Sequence, residues 1–121
     1  ELVSNFNIDQ KRLYVFGESM GAIGGWGLIT QKQDRFAAAI LVSGGAHYKY
    51  GSDLAQFPLW ALHGKEDKIV PNDLTKEIIF EMERNGGNPI YSEVEGIGHN
   101  LPLILESTPG LIEWLFKQKS H

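Results

Sequence analysis

The chain has 121 residues, 42% hydrophobic and 21% charged, with a formal net charge of −4. That size supports one domain around a single core, burying roughly two-thirds of the unfolded surface, and the composition excludes a disordered tail, a collagen-like chain and a coiled coil. No apolar run reaches the roughly 18 residues of a membrane-spanning helix, no basic cluster offers a nucleic-acid surface, and the absence of Cys removes disulfides, Cys-based zinc sites and thiol chemistry.

Short β-like runs alternate with helix-length segments. Glu1 to Asn7, through Leu2, Val3 and Phe6, reads as the end of an amphipathic helix whose beginning is absent, so the chain is expected to be cut mid-helix. Arg12-Leu-Tyr-Val-Phe-Gly17 is β-branched and aromatic and stops at glycine, which predicts a strand. Ser19 to about Gln33 has helix length, with Ile23, Trp26 and Thr30 at helical spacing. Five of the 14 glycines fall between Gly17 and Gly27, so the backbone there is expected to be unusual. Ala37 to Ser43 is a continuous apolar run, the pattern of a strand buried on both faces. Ala46 to Gln56 reads as a loop, and Phe57 to His63 as a third strand with Pro58 near its start.

From Pro71 to about Asn85, Leu74, Ile78 and Met82 recur every four residues, predicting a helix that Gly86-Gly87 stops. Its Lys76, Glu77, Glu81 and Glu83 suit a solvated face. Asn88 to Val94 is a fourth, more alternating strand. Ser107-Thr-Pro-Gly110 has N-cap chemistry and precedes a last helix, with Leu111, Ile112, Leu115 and Phe116 expected in the core and Lys117 and Lys119 suited to its C-terminal dipole. Trp26, Trp60 and Trp114 are expected to be core residues. The order of elements is that of an α/β fold with a mostly parallel sheet.

Gly17-Glu18-Ser19-Met20-Gly21 fits G-x-S-x-G between a predicted strand and a predicted helix, the context that motif requires. A nucleophile on so sharp a turn needs glycine on either side, because a Cβ there would crowd the backbone. The helix start would aim the Met20 N–H at a developing oxyanion. Asp67 follows the third strand and His99 the fourth, giving the chain order Ser, Asp, His. All three fall at C-terminal strand ends, where open α/β sheets gather their sites. Ser19 would be the nucleophile, His99 its base and Asp67 the group that orients the imidazole; Glu66 and Asp73 are the competing acids. His63 reads as a structural strand-end residue. His47 and Glu18 could line a substrate pocket, or be an ordinary loop residue and the filler of the motif's x position. Without a His pair at i, i+4 or an H-E-x-x-H, no metal site is expected.

The stretches Tyr14-Val-Phe-Gly-Glu-Ser-Met-Gly21, Asp34-Arg-Phe-Ala-Ala-Ala39, His63-Gly-Lys-Glu-Asp-Lys-Ile-Val-Pro71, Gly98-His-Asn100 and Glu113-Trp-Leu-Phe-Lys-Gln-Lys119 together resemble the C-terminal half of the α/β-hydrolase superfamily. The resemblance is to its esterase and predicted-peptidase branch, related to feruloyl esterases, polyhydroxyalkanoate depolymerases and phospholipase/carboxylesterases. It implies a three-layer α/β sandwich with about four parallel strands, and the roles just given to Ser19, Asp67 and His99. Ala22 departs from the usual glycine after the elbow, and Asn100-Leu-Pro-Leu103 is less polar and aromatic than the branch's pattern. The resemblance also implies a longer domain, so residues 1–121 are expected to lack the N-terminal strands and the second oxyanion donor.

The activity so implied is hydrolysis of a carboxylic ester through an acyl-enzyme, on a small-molecule substrate and with no cofactor. Its pH profile should rise through the ordinary imidazole range, roughly pH 6.5 to 7. A peptidase or thioesterase of the same fold is an alternative, as is a silent fragment that needs its missing half. The strand at Arg12 would be left as an edge, so a homodimer through that edge or an N-terminal partner is expected.

Overall fold

A computed structural model describes residues 13–118 of the chain. The expected helix end at Glu1–Asn7, Arg12 and Lys119 lie outside the described residues. In chain order the elements are β1 (Tyr14–Glu18), α1 (Met20–Lys32), β2 (Ala38–Val42), β3 (Leu59–Gly64), α2 (Asp73–Arg84), β4 (Ile90–Val94), α3 (Leu101–Glu106) and α4 (Leu111–Phe116). Short 3₁₀ turns occupy Gln33–Arg35 and Tyr48–Tyr50. The four strands form one all-parallel sheet in the order β1-β2-β3-β4.

This order dictates the layers. Right-handed crossovers that step repeatedly in one direction place their connections on one face of the sheet. On that face Ala22, Trp26 and Ile29 of α1, Leu54 and Phe57 of the β2–β3 connection, and Ile78, Ile79 and Met82 of α2 pack on Val15, Ala39, Leu41, Leu59 and Ala61. Only the chain after β4 covers the other face among the described residues, where Ile104, Leu111 and Leu115 pack on Ala38, Ile40, Val42 and Leu62. All five residues of β2 are buried, as its unbroken apolar run required. The result is the three-layer α/β sandwich expected from the sequence.

Several helix faces differ from the expected ones. In α1 the buried residues are Ala22, Gly25, Trp26 and Ile29, while Ile23 is half exposed. The helix lies close to the sheet through Gly25, where an added Cβ would meet the Leu41 side chain at 2.6 Å, and that approach turns Ile23 outward. In α2, Thr75 takes the inward position and Leu74 is half exposed. Asn100-Leu-Pro-Leu103, read without secondary structure, opens the short helix α3, with the Asn100 side chain capping the Leu103 N–H at 3.2 Å. Ser107 is then not the N-cap of the last helix: its hydroxyl donates back to the Leu103 carbonyl, and Gly110, at φ 90°, opens α4. The loop at 46–56 carries the 3₁₀ turn and buries Leu54 and Ala55.

In α4, Leu111 and Leu115 are buried, but Ile112 and Phe116 are each 59% exposed. That flank faces β1, where the Phe116 ring lies 5.9 Å from Tyr14. Beyond β1 the described residues place nothing, and Phe16 is exposed there as well.

Trp26 joins packing to polar satisfaction, being fully buried with its Nε1 donating to the Gly44 carbonyl at 2.8 Å. Trp26→Phe leaves a void and an unpaired buried carbonyl. It is expected to lower the urea-denaturation stability by about 2–4 kcal/mol with an unchanged m-value.

Candidate active site

β1 runs into α1 with one residue between them. Ser19 adopts φ 59° and ψ −117°, a conformation unusual for a non-glycine residue. Its amide is tied to β2 by a 2.8 Å bond to the Val42 carbonyl, so the turn is held from the sheet side. Gly17 is obligatory: a Cβ there would run into the Gly21 carbonyl group and come within 2.9 Å of the Ala22 nitrogen. Met20 is the first residue of α1, and its N–H is among those that helix geometry leaves without an intrahelical partner. The Met20 side chain is 84% exposed.

Asp67 and His99 stand in the loops after β3 and β4, which are joined by backbone bonds. Lys65 N–H donates to the Val94 carbonyl at 2.9 Å and Glu66 N–H to the Ile97 carbonyl at 3.0 Å. Gly64 permits this contact, since a Cβ at that position would collide with the carbonyl oxygens of Ile97 and Gly98.

The structure brings the three expected residues together. Ser19 Oγ lies 2.9 Å from His99 Nε2, and His99 Nδ1 lies 2.7 Å from Asp67 Oδ2. A carboxylate only accepts, so Nδ1 carries the proton and Nε2 is left to accept from the Ser19 hydroxyl. The Asp67 side chain is fully buried, whereas that of His99 keeps 17% of its surface open. Asp67 Oδ1 accepts from Ile69 N–H at 3.0 Å and Val70 N–H at 2.8 Å. Burial alone would raise the Asp67 pKa. The bonds from Val70, His99 and Ile69 outweigh it and hold the carboxyl below its ordinary value.

The competing acids stand apart, Glu66 and Asp73 being exposed. His47 is exposed, its Nδ1 accepting from Lys49 N–H at 3.1 Å and its ring stacked on Tyr48, which commits it to its own turn. Glu18 ends β1 opposite Val42 and takes no part in the hydrogen bonds joining Ser19, His99 and Asp67. His63 is buried at the end of β3 as expected, but it also touches Asp67, with Nε2 3.4 Å from Oδ2. Only the i, i+4 spacing of His63 and Asp67 after a strand hinted at that contact.

Comparison with known proteins bears on the fold. No protein-family model matches the chain, and no curated protein sequence matches it significantly. Solved structures do. A thermostable esterase superposes with a TM-score of 0.84 at 31% identity, covering 94% of this chain and 32% of its own. A Mycobacterium tuberculosis puromycin-hydrolyzing peptidase matches with a TM-score of 0.73 at 18% identity, covering 91% of this chain and 23% of its own. The chain is of α/β-hydrolase type. Arabidopsis thaliana SOBER1, with a TM-score of 0.72 at 15% identity over 92% of this chain and 55% of its own, has the same fold. The chain thus spans about a third of the esterase's length. Among the described residues, no helix is long and apolar enough to cross a membrane.

Asp67 makes stability depend on pH with a definite sign. Its native pKa lies below the unfolded value, so its stabilisation is full above the unfolded value of about 4 and is lost as pH falls through the native one. In denaturation series from pH 5 to pH 2, the wild type is expected to lose its stability advantage over Asp67→Asn as the pH falls. A difference independent of pH would contradict this assignment.

Proposed function

We propose that the chain is the catalytic part of a serine hydrolase that cleaves carboxylic esters through an acyl-enzyme. The observation supporting this most strongly is the unbroken hydrogen-bonded series Ser19 Oγ, His99 Nε2, His99 Nδ1, Asp67 Oδ2, starting from a strained residue at a strand-to-helix turn.

In the proposed reaction, His99 Nε2 takes the Ser19 proton as Oγ bonds to the ester carbonyl carbon. The carbonyl oxygen becomes an oxyanion facing the Met20 N–H and the positive end of α1. The imidazolium, stabilised by Asp67, returns its proton to the departing alkoxide oxygen, leaving an acyl group on Ser19. Water, deprotonated by His99, then attacks that acyl carbon; the carboxylic acid leaves and Ser19 is reprotonated. An ester suits this site better than a peptide, because an alkoxide departs more readily than an amine. Thioesters obey the same chemistry.

A second reading is favoured by the exposed flank Phe16, Ile112 and Phe116 along β1. Further strands, supplied by an N-terminal half or a second copy, would cover it and bring the second oxyanion donor. The chain alone would then be slow, since one missing donor costs about 10²- to 10³-fold in rate.

A fluorophosphonate probe read by intact mass separates these possibilities. One adduct on the wild type and none on Ser19→Ala is the expected result; equal labelling of both would overturn the assignment of Ser19. Asp67→Asn, which forces the wrong His99 tautomer, is expected to lower kcat about 10⁴-fold in an ester assay. Labelling that appears only after an N-terminal half is added would support the second reading.

A further inference from the structure

We propose that His63 is a positioning residue for the Asp67–His99 pair, holding the acid through a fixed Nε2–H tautomer; this rests on the hydrolase reading above. The ring is fully buried between β3 and α2, and both nitrogens are engaged. Nε2 lies 2.6 Å from the Val70 carbonyl oxygen. A carbonyl only accepts, so Nε2 carries the proton. Nδ1, 3.2 Å from Thr75 Oγ1, then accepts from the threonine hydroxyl. The two histidines therefore hold opposite tautomers beside one carboxylate: His99 donates Nδ1–H to Asp67 Oδ2 at 2.7 Å, while His63 gives its Nε2–H to Val70 and lies with that nitrogen 3.4 Å from the same oxygen.

The bonds run in series from His63 to the acid. Val70 receives His63 Nε2–H on its carbonyl and donates its N–H to Asp67 Oδ1 at 2.8 Å, while the other Asp67 oxygen faces His63. The turn so pinned is otherwise open, with Lys68, Ile69 and Pro71 exposed. Glu93, opposite His63 in β4, pairs with Lys76 of α2 at 3.3 Å, whereas the Asp67 carboxylate lies 3.4 Å from the His63 ring. An aliphatic side chain would fill this space without the cost of burying an imidazole. The polar ring is accounted for by what it holds: the loop that carries the acid.

His63→Leu keeps the volume roughly and removes the donor; His63→Gln restores an N–H near the Nε2 position. With folding checked by thermal melting, kcat of the leucine variant is expected to fall about 10- to 100-fold at a KM within threefold of wild type, from a misplaced acid, and the glutamine variant to recover most of the loss. Imidazole nitrogen–proton correlation spectra should show the Nε2–H tautomer at His63, and a strongly deshielded His99 Nδ1 proton that the leucine variant loses. A folded leucine variant with wild-type kcat and an unchanged His99 proton overturns the proposal, as does an Nδ1–H tautomer at His63. Because the spectra need no turnover, they decide the positioning role even if Ser19 proves unreactive. Should the leucine variant not fold, Thr75→Val carries the same test: loss of the single tautomer with a reduced kcat supports the proposal, and no change in either overturns it.

Discussion

The buried Asp67 carboxylate is the constraint on which the site depends. With no side-chain surface in water, its charge is tolerable because it meets donors on both oxygens: two backbone amides on Oδ1 and the His99 imidazole on Oδ2, with the His63 ring packed 3.4 Å from Oδ2. The donors come from the turn at 67–70 and the loop after β4, and His63 ties that turn to the end of β3 through the Val70 carbonyl, so satisfying one charge fixes the three relative to one another. Backbone bonds along the C-terminal edge of the sheet carry the constraint back to the nucleophile. Ser19 N–H reaches Val42, Ser43 N–H reaches Leu62, and Lys65 N–H reaches Val94, each joining the residue just past one strand to the last hydrogen-bonding positions of the next. The distance between Ser19 and His99 is therefore set by parallel strand spacing and register, which side-chain motion cannot easily alter.

What the sequence made legible follows from where its signals are strong. The run at 37–43 could be little other than a strand buried on both faces, and the G-x-S-x-G spacing around Ser19 marked the turn; backbone crowding demands glycine at Gly17, but not at Gly21 as expected, where a Cβ would meet nothing within 4 Å because the helix start turns that position outward. The candidate triad was readable from the G-x-S-x-G motif together with chain order and strand-end placement, with Glu66 and Asp73 as competing acids. The helix faces were not, and for one reason. Hydrophobic spacing proposes Ile23 and Leu74 as inward residues, but Gly25 lets α1 approach Leu41 closely, and Thr75 is drawn inward by the His63 ring. Rotation about a helix axis is decided by the partner surface, to which a periodicity has no access. The same blindness explains Ile112 and Phe116, apolar at core spacing yet open because the α4 flank lies beside the edge strand. Helix α3 was hidden by Pro102, which looks like a breaker until Asn100 is recognised as the N-cap that places it in the first turn.

Asp67 also shows how one residue type acquires two roles from its surroundings. His99 stands at the surface of the site, with an accepting nitrogen turned to Ser19 and part of its ring open to a reactant. His63 has the same chemistry and meets the same oxygen, but both its nitrogens are committed to the protein and none of its surface is accessible. A proton relay needs an atom whose partner changes during the reaction; a brace needs atoms whose partners do not. The fold separates the two by depth alone. Asp67 faces outward to an imidazole that can exchange a proton with Ser19, and inward to one whose Val70 and Thr75 bonds leave it no freedom to do so. In the proposed reaction the inner histidine would act through the position of the carboxylate between them, and the outer one would serve as a base because that position is held.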